Sequence, residues 1–316
     1  MDFVTSILTI TIRAGTSLTI ATIGEIFTER TGILNLGVEG IMLMGALSAF
    51  TAVFYSHSIM LGILVAMVIG GLLALIHAFL TTTMRANQVV SGLSITLFGT
   101  GFSSFLGQRL GPESNNFRLV GLRAERILPF APKWAKDIPI LSAFLNQDII
   151  TYLVYLLILL AWFFLYKTRP GLWLRSVGED PYTADAMGID VTKTRYFYTI
   201  IGGMLIALGG AHLSLSYTPG WSENITGGRG WIVIALVIFS MWNPARAVWG
   251  SLLFGGINAV QFRLQASGTS IPANFLNMLP YIGTIIVLVA ITWWEALSKK
   301  VGAPAALGSS YMREEK

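Results

Sequence analysis

Residues 24–40 read Gly24-Glu-Ile-Phe-Thr-Glu-Arg-Thr-Gly-Ile-Leu-Asn-Leu-Gly-Val-Glu-Gly40. Glu25, Glu29, Arg30, Asn35 and Glu39 stand here between or within two apolar runs, 3–23 and 36–55. Each run has the roughly 20 residues needed to cross a bilayer. Ionisable groups at membrane depth cost about 2.5–3.5 kcal/mol each on insertion scales, so they persist when paired or facing water. Asn35 and Glu39 are four apart, which predicts a shared helix face. Gly32, Gly37 and Gly40 let the backbone bend or another helix approach. The stretch reads either as a broken helix lining a polar pathway or as a turn and helix start with Glu39 paired to Arg13 or Arg30. Glu25 and Glu29 are expected in a solvated turn.

Composition extends this reading to the whole chain of 316 residues. Hydrophobic residues make up 54%, Asp, Glu, Lys and Arg only 12%, and the mean hydropathy is +0.67. A soluble chain carries about 25% charged residues, so a soluble enzyme, a nucleic-acid-binding module and a disordered chain are excluded. Further apolar runs lie at 59–82, 89–107, 149–166, 196–216, 230–242, 247–260 and 278–294. The expected fold is all-α: a single transmembrane domain over 1–316, a polytopic bundle of about nine spans with broken or re-entrant helices. The runs 230–242 and 247–260 are each short for an upright crossing and flank Asn243-Pro244-Ala245-Arg246, which predicts a hairpin or a pair of re-entrant half-helices. Residues 3–23 lack a basic leader and a small-residue cleavage site, so they read as a retained helix.

Charge sets the expected orientation. Lys167, Arg169, Arg175, Lys193 and Arg195 in segment 167–195, and Lys299, Lys300, Arg313 and Lys316 in the tail, place both on the cytoplasmic side. Met84–Gln88 becomes an inner turn and the N-terminus, with Asp2, lies outside. The 108–148 loop then lies outside as well, although it holds six basic and four acidic residues. Its length is more than a plain connector needs, and Pro129, Pro132 and Trp134 suggest a small folded cap. Small residues recur at four-residue steps, Gly203, Ala207 and Ala211, and again Ser251, Gly255 and Ala259. Such stripes let helices approach in lipid.

No catalytic or metal chemistry emerges. There is no cysteine, the three histidines are scattered, and no paired carboxylate, Ser/His or metal-ligand spacing supports an intramembrane enzyme. Thr226-Gly-Gly-Arg-Gly230 resembles a phosphate cradle only superficially, and no P-loop occurs. Arg229 stands at an outer membrane entrance, where it either pairs with Glu223 or serves passage of a substrate. Within 167–195, Gly178-Glu-Asp-Pro181 predicts a helix start with Asp180 as cap and Pro181 first, and Gly188 ends a short helix through Ala184 and Met187. A small-residue knob at the inner face fits a cleft on a soluble partner.

Three ordered motifs carry a family resemblance: Glu29–Gly40, Gly178–Ile189, and Gly227-Gly-Arg-Gly-Trp231 followed by Trp242-Asn-Pro244. Over about residues 10–295 the chain resembles permease subunits of ABC importers in the branched-chain amino acid, simple-sugar and nucleoside branch. It looks most like the shorter permease of nucleoside systems. Asp180 departs from the family's usual Asn, and Asp caps a helix equally well.

The resemblance implies a transport subunit that is no enzyme and holds no cofactor, with ATP and Mg bound by partners. It implies ABC ATPase subunits, a second and non-identical permease, an extracytoplasmic substrate-binding protein and a bacterial cytoplasmic membrane. It makes Gly178, Glu179, Asp180, Pro181, Ala184, Met187 and Gly188 the ATPase-coupling residues. Asn35, Glu39, Phe98, Arg229 and Trp231 are the expected translocation residues. A simple-sugar permease of ribose or galactose type is the alternative. An ion-coupled carrier using Glu39 and Arg13 is a further one, which leaves the long coupling segment without a purpose.

Overall fold

The computed structural model describes residues 3–130, 138–266, 272–298 and 302–313. Twelve α-helices account for most of them: α1 (Phe3–Glu29), α2 (Val38–Ser56), α3 (Ile59–Ala78), α4 (Gln88–Gly107), α5 (Pro139–Leu145), α6 (Ile149–Lys167), α7 (Arg169–Glu179), α8 (Pro181–Ala186), α9 (Val191–His212), α10 (Arg229–Phe239), α11 (Pro244–Ala266) and α12 (Ala273–Ser298). Among the described residues, six helices are long and apolar enough to cross a membrane: α1, α2, α3, α4, α6 and α9. α11 and α12, of 23 and 26 residues, have sufficient length. α10 has 11 residues, about 16 Å, half a bilayer. The 230–260 region is thus one half-helix followed by one full helix.

α1, α2 and α9 form the buried centre, and α3, α4 and α6 surround them with exposed Leu, Ile and Phe side chains. α1 tolerates its many threonines because their hydroxyls bond back into the helix: Thr9, Thr16 and Thr19 donate to the carbonyls of Thr5, Ile12 and Gly15 at 2.8–2.9 Å. The small-residue stripes sit at helix crossings. A Cβ at Gly70 would collide with Ala207 and Gly203, one at Gly45 with Ala207, and one at Gly255 with Thr11 and Gly15. Contact at backbone distance replaces the hydrophobic drive that lipid does not supply.

The 108–148 loop is partly folded. Ile127 N–H donates to Leu215 O at 3.0 Å, Phe130 and Gln147 pair through one bond of 2.9 Å, and α5 packs on α1. Arg13 reaches it, donating to Gln147 Oε1 and Asn146 O at 3.2 Å. Pro132, Lys133, Trp134 and Lys136 lie outside the described residues, as do Asp2, Lys299, Lys300 and Lys316.

Candidate functional site

Residues 30–37 decide the site. After α1 the chain turns at Arg30–Gly32 and runs extended through 33–35 before α2 begins at Val38. An unwound segment inside a bundle must satisfy its backbone by side chains. Here Leu34 N–H donates to Gln88 Oε1 at 2.6 Å, Leu34 O lies 3.1 Å from His77 Nε2, and Leu36 O accepts from Thr96 Oγ1 at 2.8 Å. His77 Nδ1 is in turn 2.9 Å from Ser91 Oγ. Asn35 therefore lies ahead of α2 rather than on its face with Glu39. Buried at 1% exposure, it donates to Glu25 Oε2 at 2.9 Å and accepts from Gly37 N–H at 2.9 Å.

Glu25 and Glu29 are not in a solvated turn. They are buried on α1, which runs to Glu29, six residues further than expected. Trp242 Nε1 donates to Glu29 Oε2 at 2.5 Å. Arg30 donates to Met241 O and Trp242 O at 3.3 and 3.2 Å, and its guanidinium stands 3.9 Å from Glu179 Oε1. Neither Arg30 nor Arg13 pairs with Glu39.

Glu39 meets a second helix start. Its carboxylate accepts from Thr226 Oγ1 at 2.5 Å, Gly228 N–H at 2.9 Å and Gly230 N–H at 2.6 Å. These are the orphan donors at the N-terminus of α10, where a negative charge also complements the helix dipole. Gly228 has no capping side chain and a left-handed φ of 80°, so Glu39 supplies the cap from another helix. Gly230 is obligatory because a Cβ would strike Glu39. On the opposite side Gly40 and Gly99 bring α2 and α4 to backbone contact. From the 240–243 turn to Gly228, α10 spans about 16 Å, about half the thickness of a bilayer core.

Between α9 and α10, residues 218–228 run irregularly from the C-terminal end of α4, where Trp221 packs on Gly107 and Gln108 donates to Glu223 Oε1 at 2.5 Å. Ser222, Glu223, Asn224 and Gly227 are exposed, and Tyr281 OH of α12 donates to Gly227 O at 2.8 Å. Arg229 is buried with its guanidinium over the Tyr217 ring at 5.1 Å. Trp231 is 41% exposed. Phe98 is half exposed on α4 and begins a ladder of rings, 5.0 Å from Phe102, which is 6.5 Å from Phe105. Gly101 shares that face with nothing within 4 Å of a Cβ. Glu39 and Arg229 therefore meet at the start of α10, with Trp231 exposed two residues further on; Phe98 stands on α4, and Asn35 braces the α1–α2 junction.

The 178–188 segment folds as its residues dictate. Asp180 Oδ1 accepts from Tyr182 and Thr183 N–H at 3.0 and 3.2 Å, Thr183 Oγ1 donates to Oδ2, Pro181 opens α8, and Gly188 follows it at φ 82°. The bonds from Thr183 hold the Asp180 carboxyl below its ordinary pKa. Ala184 is buried, whereas Tyr182 and Met187 project outward. Gly178 lies so close to Arg30 O that no side chain fits. Glu179 accepts Ala305 N–H at 3.3 Å while facing Arg30.

The fold and the unwound junction define a multi-pass transport subunit. Residues 7–292 match the family described as branched-chain amino acid transport system / permease component. The chain belongs to that family, the permeases of ABC importers. It is 38% identical to the "Putative glucose ABC transporter permease protein TsgC13" of Haloferax volcanii, covering 99% of each chain. It is 35% identical to the nucleoside ABC transporter permease protein NupC of Lactococcus lactis, over 95% of this chain and 94% of NupC. The guanosine ABC transporter permease protein NupQ of Bacillus subtilis is 31% identical, over 94% and 93%. As a member of this family the chain is a non-catalytic membrane subunit without a cofactor of its own.

Reasoning from sequence missed Trp242, His77, Gln88, Tyr217, Tyr281 and the 302–313 tail. Trp242 stood in a quoted motif but had no assigned role, because its partner Glu29 lies 213 positions away.

Proposed function

We propose that the chain forms half of the translocation pathway of an ATP-driven nucleoside importer. The observation that carries the pathway is the irregular 218–228 segment. Non-helical backbone at membrane depth survives only where protein buries it or water lines it, and Gly227, exposed beside the Glu39 junction, requires water. The route runs along this segment, Trp231 and the Phe98 face of α4, with the α2–α10 junction at its inner limit. A second, non-identical permease supplies the opposite wall. An extracytoplasmic binding protein delivers substrate to the outer face, where the N-terminus and the 108–148 loop lie. The 167–195 segment and the C-terminal tail face the cytoplasm, and Gly178–Gly188 receives the ATPase subunits.

Coupling then has a physical route. Movement of α8 reaches Arg30 through Glu179, and Arg30 holds the 241–242 turn at the inner end of α10. α10 ends at Glu39, so a rigid half-helix carries displacement from the inner face to the pathway. ATP binding biases this two-state element by differential contact with its states.

Nucleosides are favoured by the stacked rings on α4, which offer planar faces to a base, and by the names of two relatives. A sugar permease is the second reading, favoured by the relative named for glucose. Proteoliposomes holding the complete transporter, with ATP enclosed and the binding protein and substrate outside, decide between them. ATP-dependent accumulation of labelled nucleoside, unaffected by excess glucose, is expected. Accumulation of glucose alone overturns the substrate, and uptake without ATP overturns the importer mechanism.

A further inference from the structure

The tail 302–313 is anchored across the inner face. Ala306 N–H donates to Gly178 O at 2.9 Å and Gly308 N–H to Gly32 O at 3.1 Å. Arg195 and Gln88 donate to Ser309 O at 3.3 and 3.4 Å. Arg313 Nε lies 3.3 Å from Asp185 Oδ2. Tyr311, 9% exposed, completes a small core with Val177, Ala184 and Val191, its ring 5.2 Å from that of Tyr182.

α8 has six residues, too few to persist as a helix without tertiary support. Its caps stabilise its first turn, and Tyr311 packs beneath its buried face. Beyond that core, Tyr182, Met187 and Met312 are 53%, 78% and 54% exposed, two from the α8 region and one from the tail. Met312 Sδ accepts from Arg85 at 2.9 Å. These side chains lie beyond the inner ends of the spanning helices, where water rather than lipid faces them. Large apolar side chains gathered in water mark a protein contact, and Met suits one that must stay fitted as its partner moves. The rim carries both signs, Asp185 with Arg313 and Asp190 with Lys193, the latter pair 3.0 Å apart.

We propose that the tail is the second part of the ATPase dock: the ATPase subunit grips Met312 and Arg313 together with Tyr182 and Met187 of the α8 region. This rests on the coupling role of Gly178–Gly188. Continuity of the tail with that segment, through Tyr311 on Tyr182 and Arg313 on Asp185, selects the ATPase as occupant over the second permease or the lipid surface.

The test uses the complete transporter, purified in detergent, with ATPase retention and ATP-dependent uptake as readouts. Met312→Glu alters only an exposed side chain, and a chain ended after Gly308 removes the whole contact. Ala184→Arg disrupts the coupling segment itself, together with the Tyr311 contact beneath it. Each of the first two is expected to weaken ATPase retention about tenfold, the scale of one interface anchor, with permease abundance unchanged for M312E. If both retain the ATPase within about twofold while A184R releases it, the tail is only an internal brace and the proposal fails. Retention by A184R as well would instead overturn the coupling reading. Loss of the second permease rather than the ATPase in M312E would assign the patch to the permease pair and overturn the proposal.

Discussion

Glu39 is one carboxylate serving three donors of another helix. Removing it leaves two N–H groups and one hydroxyl without this acceptor, at about 1–3 kcal/mol each. Glu39→Ala is therefore expected to lower the stability of the purified permease by at least about 3 kcal/mol and to abolish uptake. Glu39→Gln keeps an acceptor and should retain most of the stability in a thermal unfolding assay. Trp242→Phe removes the indole donor to Glu29 and should cost about 1–3 kcal/mol, the penalty of leaving a buried acceptor unpaired. Combined with Glu29→Gln the losses should be less than additive, since both changes delete one interaction. Asp180 behaves oppositely because it is exposed. Its folded-state pKa is depressed, so its capping contribution is complete above the unfolded Asp range and is lost only as pH falls below about 4. Asp180→Asn should preserve coupled uptake at neutral pH, and Asp180→Ala should reduce it.

At the scale of elements, most of the bundle was legible in the sequence because spans are written locally, as about 20 apolar residues each. The start of α8 was equally legible: Asp180, Pro181 and Gly188 are adjacent signals for a cap, a first turn and a stop. What stayed hidden depends on distant partners. Glu25 and Glu29 looked solvated because nothing nearby in sequence buries them, and Asn35 looked helical because the brace that unwinds it comes from His77, Gln88 and Thr96. α10 looked like half of a hairpin because its cap lies on α2. Two glycines on α4 separate packing from pathway. Gly99 meets Gly40 at backbone contact, whereas Gly101 faces open space. Gly99→Leu is expected to prevent accumulation of folded protein in membranes. Gly101→Trp should leave accumulation unchanged and block uptake; full uptake by that variant would remove the α4 face from the pathway.

For the molecule as a whole, the orientation proposed from charge can be read directly, because the chain contains no cysteine. Single cysteines at Glu125 on the outer loop and at Lys193 beside α8, whose side chains are 52% and 86% exposed, report the two sides. In intact cells a membrane-impermeant thiol reagent should label Glu125→Cys and not Lys193→Cys; the reverse pattern would invert the topology and detach α8 from the ATP-hydrolysing side. The bond from Trp242 to Glu29 also has a consequence in time. Synthesis proceeds at about 5–20 residues per second, so the 213 positions between the two separate their emergence by roughly 10–40 s. Through that interval Glu29 has no indole donor and must find another partner or water. The first helix made thus waits for the later ones, and the bundle can close around it only after the ribosome has passed Trp242 and α11, which packs on α1.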